Sequence, residues 1–316
     1  MARKRPRMEV AAAVDIGSYS VHLLVGGVRA HVLETLHDES AFLGLGRAID
    51  ETGELGEARP RLVETISGYA MRAWSLGATT ITIVGTDPLR RAADGRQAIE
   101  EIAASTGLEV LVLSHDEEAL VALIGVQAGR PVLRDTAIVD VGGGSTEVLA
   151  VGPAREPDAA GLPLGATRLS GEYVHHDPPT EPEVAKLLGH SLMQMATAPS
   201  FAPVELVAVG GTARSLLRVG PRLANRILTH RRVRRSLDLL MAAPAEVTAE
   251  RYGIRLSRAL VLPAGAAILL GALDRYRLDR LRVAAGGLRE GLILAASHAG
   301  SGWRSELQDL ARGWDR

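Results

Sequence analysis

A seven-residue phrase occurs twice in this chain. Val14-Asp15-Ile16-Gly17-Ser18-Tyr19-Ser20 recurs as Val139-Asp140-Val141-Gly142-Gly143-Gly144-Ser145, an offset of 125 residues. The echo continues, because Leu24 meets Leu149 and Gly27 meets Gly152 in the same register. Each copy reads as an apolar strand, an Asp at its end, a Gly/Ser turn and a second apolar strand. The turn glycines permit positive φ and the close approach of an anion. Backbone N–H groups in such a turn form an anion cradle, and a carboxylate beside it suits a hard cation such as Mg²⁺. Charge-assisted hydrogen bonds of this kind contribute roughly 1.5–3 kcal/mol each. Neither copy is a dinucleotide fingerprint, which needs its third Gly to open a helix. Two copies in matching register point to two like domains closing on one phosphate-rich ligand.

The length of 316 residues accommodates two domains with an ample core. A net charge of −1 gives no global field toward nucleic acid or membrane. The cations are lopsided: only Lys4 and Lys186 are lysines, and the rest are arginines. Arginine suits bidentate phosphate recognition, although an Arg-, Ala- and Leu-rich composition also follows from a GC-rich genome. The absence of Cys excludes disulfides and thiolate chemistry. Residues 2–7 are basic, but the apolar stretch after them is cut by Asp15 and lacks a cleavage pattern. No uninterrupted apolar run reaches the ~18 residues of a membrane span. Residues 258–273 come closest and, with Pro263 and several small residues, read as a buried helix. A cytoplasmic location is expected, with no membrane partner.

Periodicity divides the chain further. Residues 9–39 predict a three-stranded meander with turns near Gly17-Ser18 and Gly26-Gly27, followed by a Gly-rich loop over 40–57. Helices are predicted over 58–75, 94–106 and 115–128, and strands over 79–84 and 108–113. Thr86 stands where it could cap a short helix. The pattern restarts with strands at 136–141, 145–151 and about 160–164, and helices at 165–174 and 181–197. A strand over 205–209 runs into Gly210-Gly211-Thr212. Helices follow at 212–218, 229–242, 244–251 and 257–277, then a strand at 281–284 and helices at 287–297 and 303–315. Gly129-Arg130-Pro131 is the natural hinge. The expected domains are 1–129 and 130–300, with residues 301–316 forming a C-terminal helix that packs back on the first domain.

Taken together, the paired motifs resemble the actin, sugar kinase and heat-shock ATPase superfamily. Within it the chain is similar to the exopolyphosphatase and guanosine pentaphosphate phosphatase family. Four further strings carry the narrower resemblance: Val84-Gly85-Thr86-Asp87-Pro88-Leu89-Arg90, Leu113-Ser114-His115-Asp116-Glu117-Glu118-Ala119, Val209-Gly210-Gly211-Thr212-Ala213 and Gly286-Gly287-Leu288-Arg289-Glu290-Gly291. It spans about residues 9–297 and matches the short, two-domain members. The resemblance implies an α/β fold of two ribonuclease H-like (actin-like ATPase) domains flanking an interdomain cleft, able to hinge.

It also implies residue roles. Glu118 matches the catalytic base that orients the attacking water, and Arg90 an arginine that contacts the scissile phosphate. On spacing alone, Glu118 would read as a solvated acid in the first turn of a helix. Asp140 and Glu147 match the acids that hold Mg²⁺, or Mn²⁺ in its place, and Asp15 would face the same metal. Gly17, Ser18, Ser20, Gly143, Gly144, Ser145, Gly211 and Thr212 would grip phosphates. The implied activity is Mg²⁺-dependent hydrolysis of the terminal phosphate of inorganic polyphosphate, with guanosine pentaphosphate as the alternative substrate.

The chain departs from the family pattern at Tyr19, where Asn is common, at His115, which replaces a Gly, and at Ala93-Asp94-Gly95. The departures at Tyr19 and His115 keep open a sensor that binds polyphosphate or an alarmone without turnover. A kinase would need a sugar-binding insertion that is not obvious between the cradles. His175-His176-Asp177 are adjacent in a loop and do not suit one ion. Arg231, Arg232, Arg234 and Arg235, with Arg226 and His230 nearby, read as a solvated helix face or as a cationic track for a long polyanion. The scarcity of aromatics among them argues against nucleic-acid stacking. A homodimer is the default assembly.

Overall fold

The computed structural model describes residues 8–29 and 32–314; residues 2–7, read above as a basic run, lie outside that range. The chain divides into two compact units, Met1–Pro131 with Gly286–Arg316, and Val132–Ala285.

The first unit begins with strands β1 (Glu9–Ile16), β2 (Ser20–Arg29) and β3 (Val32–Phe42). Helices α1 (Leu45–Thr52) and α2 (Ala58–Ser75) follow. Next come β4 (Thr80–Gly85), α3 (Asp87–Arg91), α4 (Gly95–Thr106), β5 (Val110–Val112) and α5 (His115–Gln127). The sheet order is β3-β2-β1-β4-β5. The first three strands are antiparallel, and β4 and β5 run parallel to β1. Val14, Ile16, Val21 and Leu23 from the sheet pack on Leu62, Ile66 and Tyr69 of α2, whose spacing places them on one helical face.

The second unit repeats this plan. It contains β6 (Thr136–Val141), β7 (Thr146–Gly152), β8 (Arg155–Leu162), α6 (Ala166–Tyr173), α7 (Glu181–Met195), β9 (Glu205–Val209) and α8 (Gly210–Leu216). It continues through β10 (Ile227–Thr229), α9 (His230–Met241), α10 (Ala245–Tyr252), α11 (Leu256–Tyr276) and β11 (Arg280–Val283). The order β10-β11-β9-β6-β7-β8 holds the same antiparallel hairpin beside a parallel crossover. Helix α11 is long and apolar enough to cross a membrane by length and composition, but 78% of its apolar window is buried within the protein. It packs against α6, α7, α8, α9 and α10, which explains its apolar circumference.

The chain then returns to the first unit as α12 (Leu288–Ala299) and α13 (Leu307–Ala311), both packed on α5. This differs from the boundaries expected from sequence, which left residues 286–300 in the second domain. The α5–α12 contact is backbone against backbone. A Cβ on Gly291 would fall on the carbonyl oxygen of Val121, and one on Gly125 on the carbonyl oxygen of Gly287. Only glycine fits there, and the pattern 286–291 therefore belongs to packing as much as to chemistry.

Four local expectations need correction, the first being the C-terminal helix expected over 303–315, which among the described residues is helical only over Leu307–Ala311. Gly26-Gly27 is not a turn; it lies inside β2, where the register with β3 shifts after Val25. The expected loop over 40–57 contains α1, which Gly44 and Gly53 bracket at φ +64° and +79°. Thr86 precedes α3 but does not cap it, since its hydroxyl bonds Ile16 instead.

Gly291→Ala should cost about 3 kcal/mol, because the obstruction is backbone and cannot rotate away. Urea denaturation would show it, and an unchanged midpoint would refute this account of the contact.

Candidate active site

In each sheet the chemistry-bearing residues gather at the C-terminal ends of the parallel strands, where open α/β sheets bind ligands. In the first unit Asp15 pairs with Val84, and Gly85 with Val112. The β1–β2 turn is closed by Gly17 N–H donating to the Ser20 carbonyl at 3.3 Å. That closure places Asp15 opposite His22. Ser20 Oγ lies 2.6 Å from His22 Nε2. Ser18 donates its hydroxyl to Asp87 Oδ2 at 2.7 Å, and Arg91 Nε reaches the same oxygen at 3.1 Å. The Ser18 hydroxyl proton is therefore directed at Asp87. Tyr19 is buried and packs its ring on Phe42, 5.0 Å between centroids, so this departure serves the core.

Arg90 and Glu118, singled out separately in the sequence, are brought together. Arg90 Nη1 donates to Glu118 Oε2 at 3.0 Å and to the Leu113 carbonyl at 2.7 Å. Arg90 Nη2 lies 3.2 Å from His115 Nδ1. A guanidinium only donates, so Nδ1 accepts and the imidazole proton sits on Nε2. Burial first, and then the charge of Arg90, push His115 below its ordinary value of 6.5.

The adjacent acids are sorted by the helix start. Ser114 Oγ accepts from Glu117 N–H, and Glu117 Oε2 accepts from Ser114 N–H at 2.8 Å, forming a capping box. Arg304 holds the same carboxylate through Nε at 2.6 Å and Nη2 at 2.9 Å, which keeps Glu117 below the usual carboxylate range. Glu117 is structural, whereas Glu118, 8% exposed, faces Arg90. The neighbouring arginines separate likewise, since Arg91 pairs with Asp87 and Asp50.

The second unit carries the two-acid version. Gly142 N–H donates to the Ser145 carbonyl at 3.0 Å, and Asp140 stands opposite Glu147 across the hairpin. Ser145 donates to Glu147 Oε1 at 2.8 Å. The Gly142 and Gly143 carbonyls accept from Ala166, Thr167 and Arg168 in the first turn of α6. Gly143 is half-buried and Gly144 buried. Gly210, at φ +90°, leaves room for Asp140, whose Oδ1 would lie 2.8 Å from a Cβ there. Thr212 is 1% exposed and its hydroxyl lies 3.4 Å from the Val141 carbonyl, so it straps α8 to β6. Half-buried Gly211 precedes it, beside the guanidinium of Arg258.

Sequence reasoning missed several of these residues. His22 occupies the register position of Glu147, and Ser20–His22 repeats Ser145–Glu147. Thr86 Oγ1 donates to Ile16 at 3.1 Å, as Thr212 does to Val141. Carrying the 125-residue offset two positions beyond Ser20 finds His22. Of the acids at matching hairpin positions, Asp140 and Glu147 face each other in the second unit, and Asp15 faces His22 in the first. His175 N–H and His176 Nδ1 meet Glu183 Oε1, each at 2.8 Å, and Asp177 accepts from Ala245, so that loop anchors helices.

The chain matches the Ppx/GppA phosphatase family over residues 24–299. It is 31% identical over 304 residues to Exopolyphosphatase 1 of Mycobacterium tuberculosis strain H37Rv, covering 89% of this chain and 86% of that protein. It is 28% identical to a guanosine-5'-triphosphate,3'-diphosphate pyrophosphatase of Vibrio campbellii, covering 89% of this chain and 58% of the other. The crystal structure of the Aquifex aeolicus Ppx/GppA family member superposes with a TM-score of 0.79 at 26% identity, covering 93% and 99%. Both sheets are therefore those of actin-like ATPase domains.

Because His115 is depressed in the folded protein, unfolding takes up a proton below pH 6.5. The stability tied to neutral His115 is complete above that value and is lost as pH falls toward the folded pKa. Thermal melts at descending pH should show this loss, and His115→Gln should flatten it; parallel curves would disprove the assignment.

Proposed function

We propose, from the premise that this chain belongs to the Ppx/GppA phosphatase family and is a phosphatase, that it hydrolyses the terminal phosphate of inorganic polyphosphate using Glu118 as base. The observation that carries this reading is the pairing of a nearly buried Glu118 with Arg90, while Glu117 beside it is fully engaged elsewhere. Arg90 holds the Glu118 carboxylate in position through the 3.0 Å contact. A water bound to Glu118 attacks the terminal phosphorus, its proton passes to the carboxylate, and the bridging P–O bond breaks. Orthophosphate leaves and the chain is one unit shorter. Phosphoryl transfer depends chiefly on positioning and charge stabilisation. Each glycine turn is suited to donate backbone N–H groups to phosphate oxygens.

The donor set of the second hairpin fits a hard divalent cation: two cross-strand carboxylates, one of them 3% exposed, with Gly210 leaving space at Asp140. We assign Mg²⁺, or Mn²⁺, to Asp140 and Glu147. When bound, the ion would neutralise charge on phosphate oxygens. Ser145 fixes the Glu147 carboxylate for that role. The same chemistry applied to guanosine pentaphosphate is the second reading, supported by the name of the Vibrio campbellii relative.

Glu118→Gln should lower kcat by roughly 10²–10⁴-fold, with phosphate release from polyphosphate and guanosine pentaphosphate compared side by side. The faster substrate identifies the reaction. EDTA should abolish release by the wild type. An undiminished rate in Glu118→Gln would remove this residue as the base.

A further inference from the structure

A pocket of about 680 Å³ lies in the second unit, beyond the C-terminal end of α8 and beside the end of α10. None of its lining residues is acidic, and four are arginines: Arg218, Arg222, Arg226 and Arg251. Leu223 and Tyr252 supply an apolar wall and a ring.

Elsewhere in this chain arginines meet carboxylates, as Arg91 meets Asp87 and Arg304 meets Glu117. Here they do not. Arg218 donates Nη1 to the Gly253 carbonyl at 2.6 Å. Arg226 donates Nε to Val283 at 3.0 Å and Nη2 to Ala284 at 2.6 Å. Carbonyls hold a guanidinium in place and leave its charge uncompensated. Arg222 and Arg251 are exposed and form no ion pair among the described residues. Arg232 bonds the carbonyls of Val219 and Pro221 at 2.6 and 2.7 Å, tying down the segment that carries Arg222. The basic cluster seen in the sequence is thereby divided. Arg226 lines the pocket, Arg232 supports it, and Arg231, Arg234 and Arg235 form an exposed face of α9.

Four like charges around one hollow repel one another unless an anion joins them. A single orthophosphate carries too little charge to match four guanidinium groups, whereas phosphates in series match them. Arginine forks suit such oxygens, and the volume lies within the range of small-molecule sites. Helix α8 spans its seven residues, roughly 10 Å at ~1.5 Å per residue, between this pocket and Gly210. We propose that the pocket is a second, non-catalytic site for a condensed phosphate, either bare or carried on a nucleoside. The inference goes beyond the hydrolase reading and does not depend on it, because binding is read without turnover.

Calorimetry on the full chain carrying Glu118→Gln, without divalent cation, tests this with two probes, tripolyphosphate and a nucleoside 5'-triphosphate. Adding Arg222→Gln and Arg251→Gln should weaken binding roughly tenfold or more, the loss of at least one charge-assisted contact. Arg222→Lys with Arg251→Lys should retain most of the affinity, and Asp140→Asn should leave this binding intact. Tighter binding of tripolyphosphate identifies a bare chain; tighter binding of the nucleotide identifies a nucleoside-borne one. Unchanged binding of both probes in the Gln variant overturns the proposal. Phosphate release by Arg222→Gln/Arg251→Gln in an otherwise wild-type chain separates failure of this site from failure of the hydrolase reading.

Discussion

The hydrogen bond from the first glycine of each turn to a serine carbonyl, Gly17 to Ser20 and Gly142 to Ser145, sets how two strands pair, and the polar arrangement at the strand ends follows from that pairing. A one-residue slip would send every side chain to the opposite face. With the turn closed, Asp15 must stand opposite His22, and Asp140 opposite Glu147. The serine hydroxyl then reaches its neighbour two residues on, His22 in one case and Glu147 in the other. One geometry therefore yields a site with one acid in the first unit and a two-acid site in the second. The difference is a single residue type at one register position.

Buried charge is handled by assigning each ionised group its own partner. Glu117 and Glu118 are adjacent in sequence and about 100° apart around the helix. That rotation sends Glu117 to Ser114 and Arg304, and Glu118 to Arg90. Arg90 and Arg91 diverge for the same reason, toward Glu118 and toward Asp87 with Asp50. Arg304, near the end of the chain, thus holds Glu117 apart from the Arg90–Glu118 pair. The return of α12 to α5 brings that segment back, and it relies on glycines at both surfaces of the helix contact.

Much of this was legible in the amino-acid string. The repeated Asp-Gly phrase located both hairpins, and periodicity located helices α2, α4, α5, α7 and α11. The family strings singled out Arg90 and Glu118, and the structure puts those two side chains in contact. Other features were hidden because they depend on distance in space. Thr86 looks like a cap by position, yet the Ile16 carbonyl lies within reach and takes its hydroxyl. The hydroxyls of Ser18 and Thr212 engage Asp87 and approach Val141, contacts that spacing does not reveal.

Alternation of apolar residues and the positions of glycine act locally, so the sequence alone determined the strands, the tight turns and the acids beside them. Tertiary structure decided which of two adjacent acids meets Arg90 and that α12 belongs with the first unit. It also decided that four arginines separated along the chain share one pocket without a carboxylate. Those outcomes depend on which groups meet after the chain has closed long loops, and neither side-chain spacing nor propensity encodes such meetings.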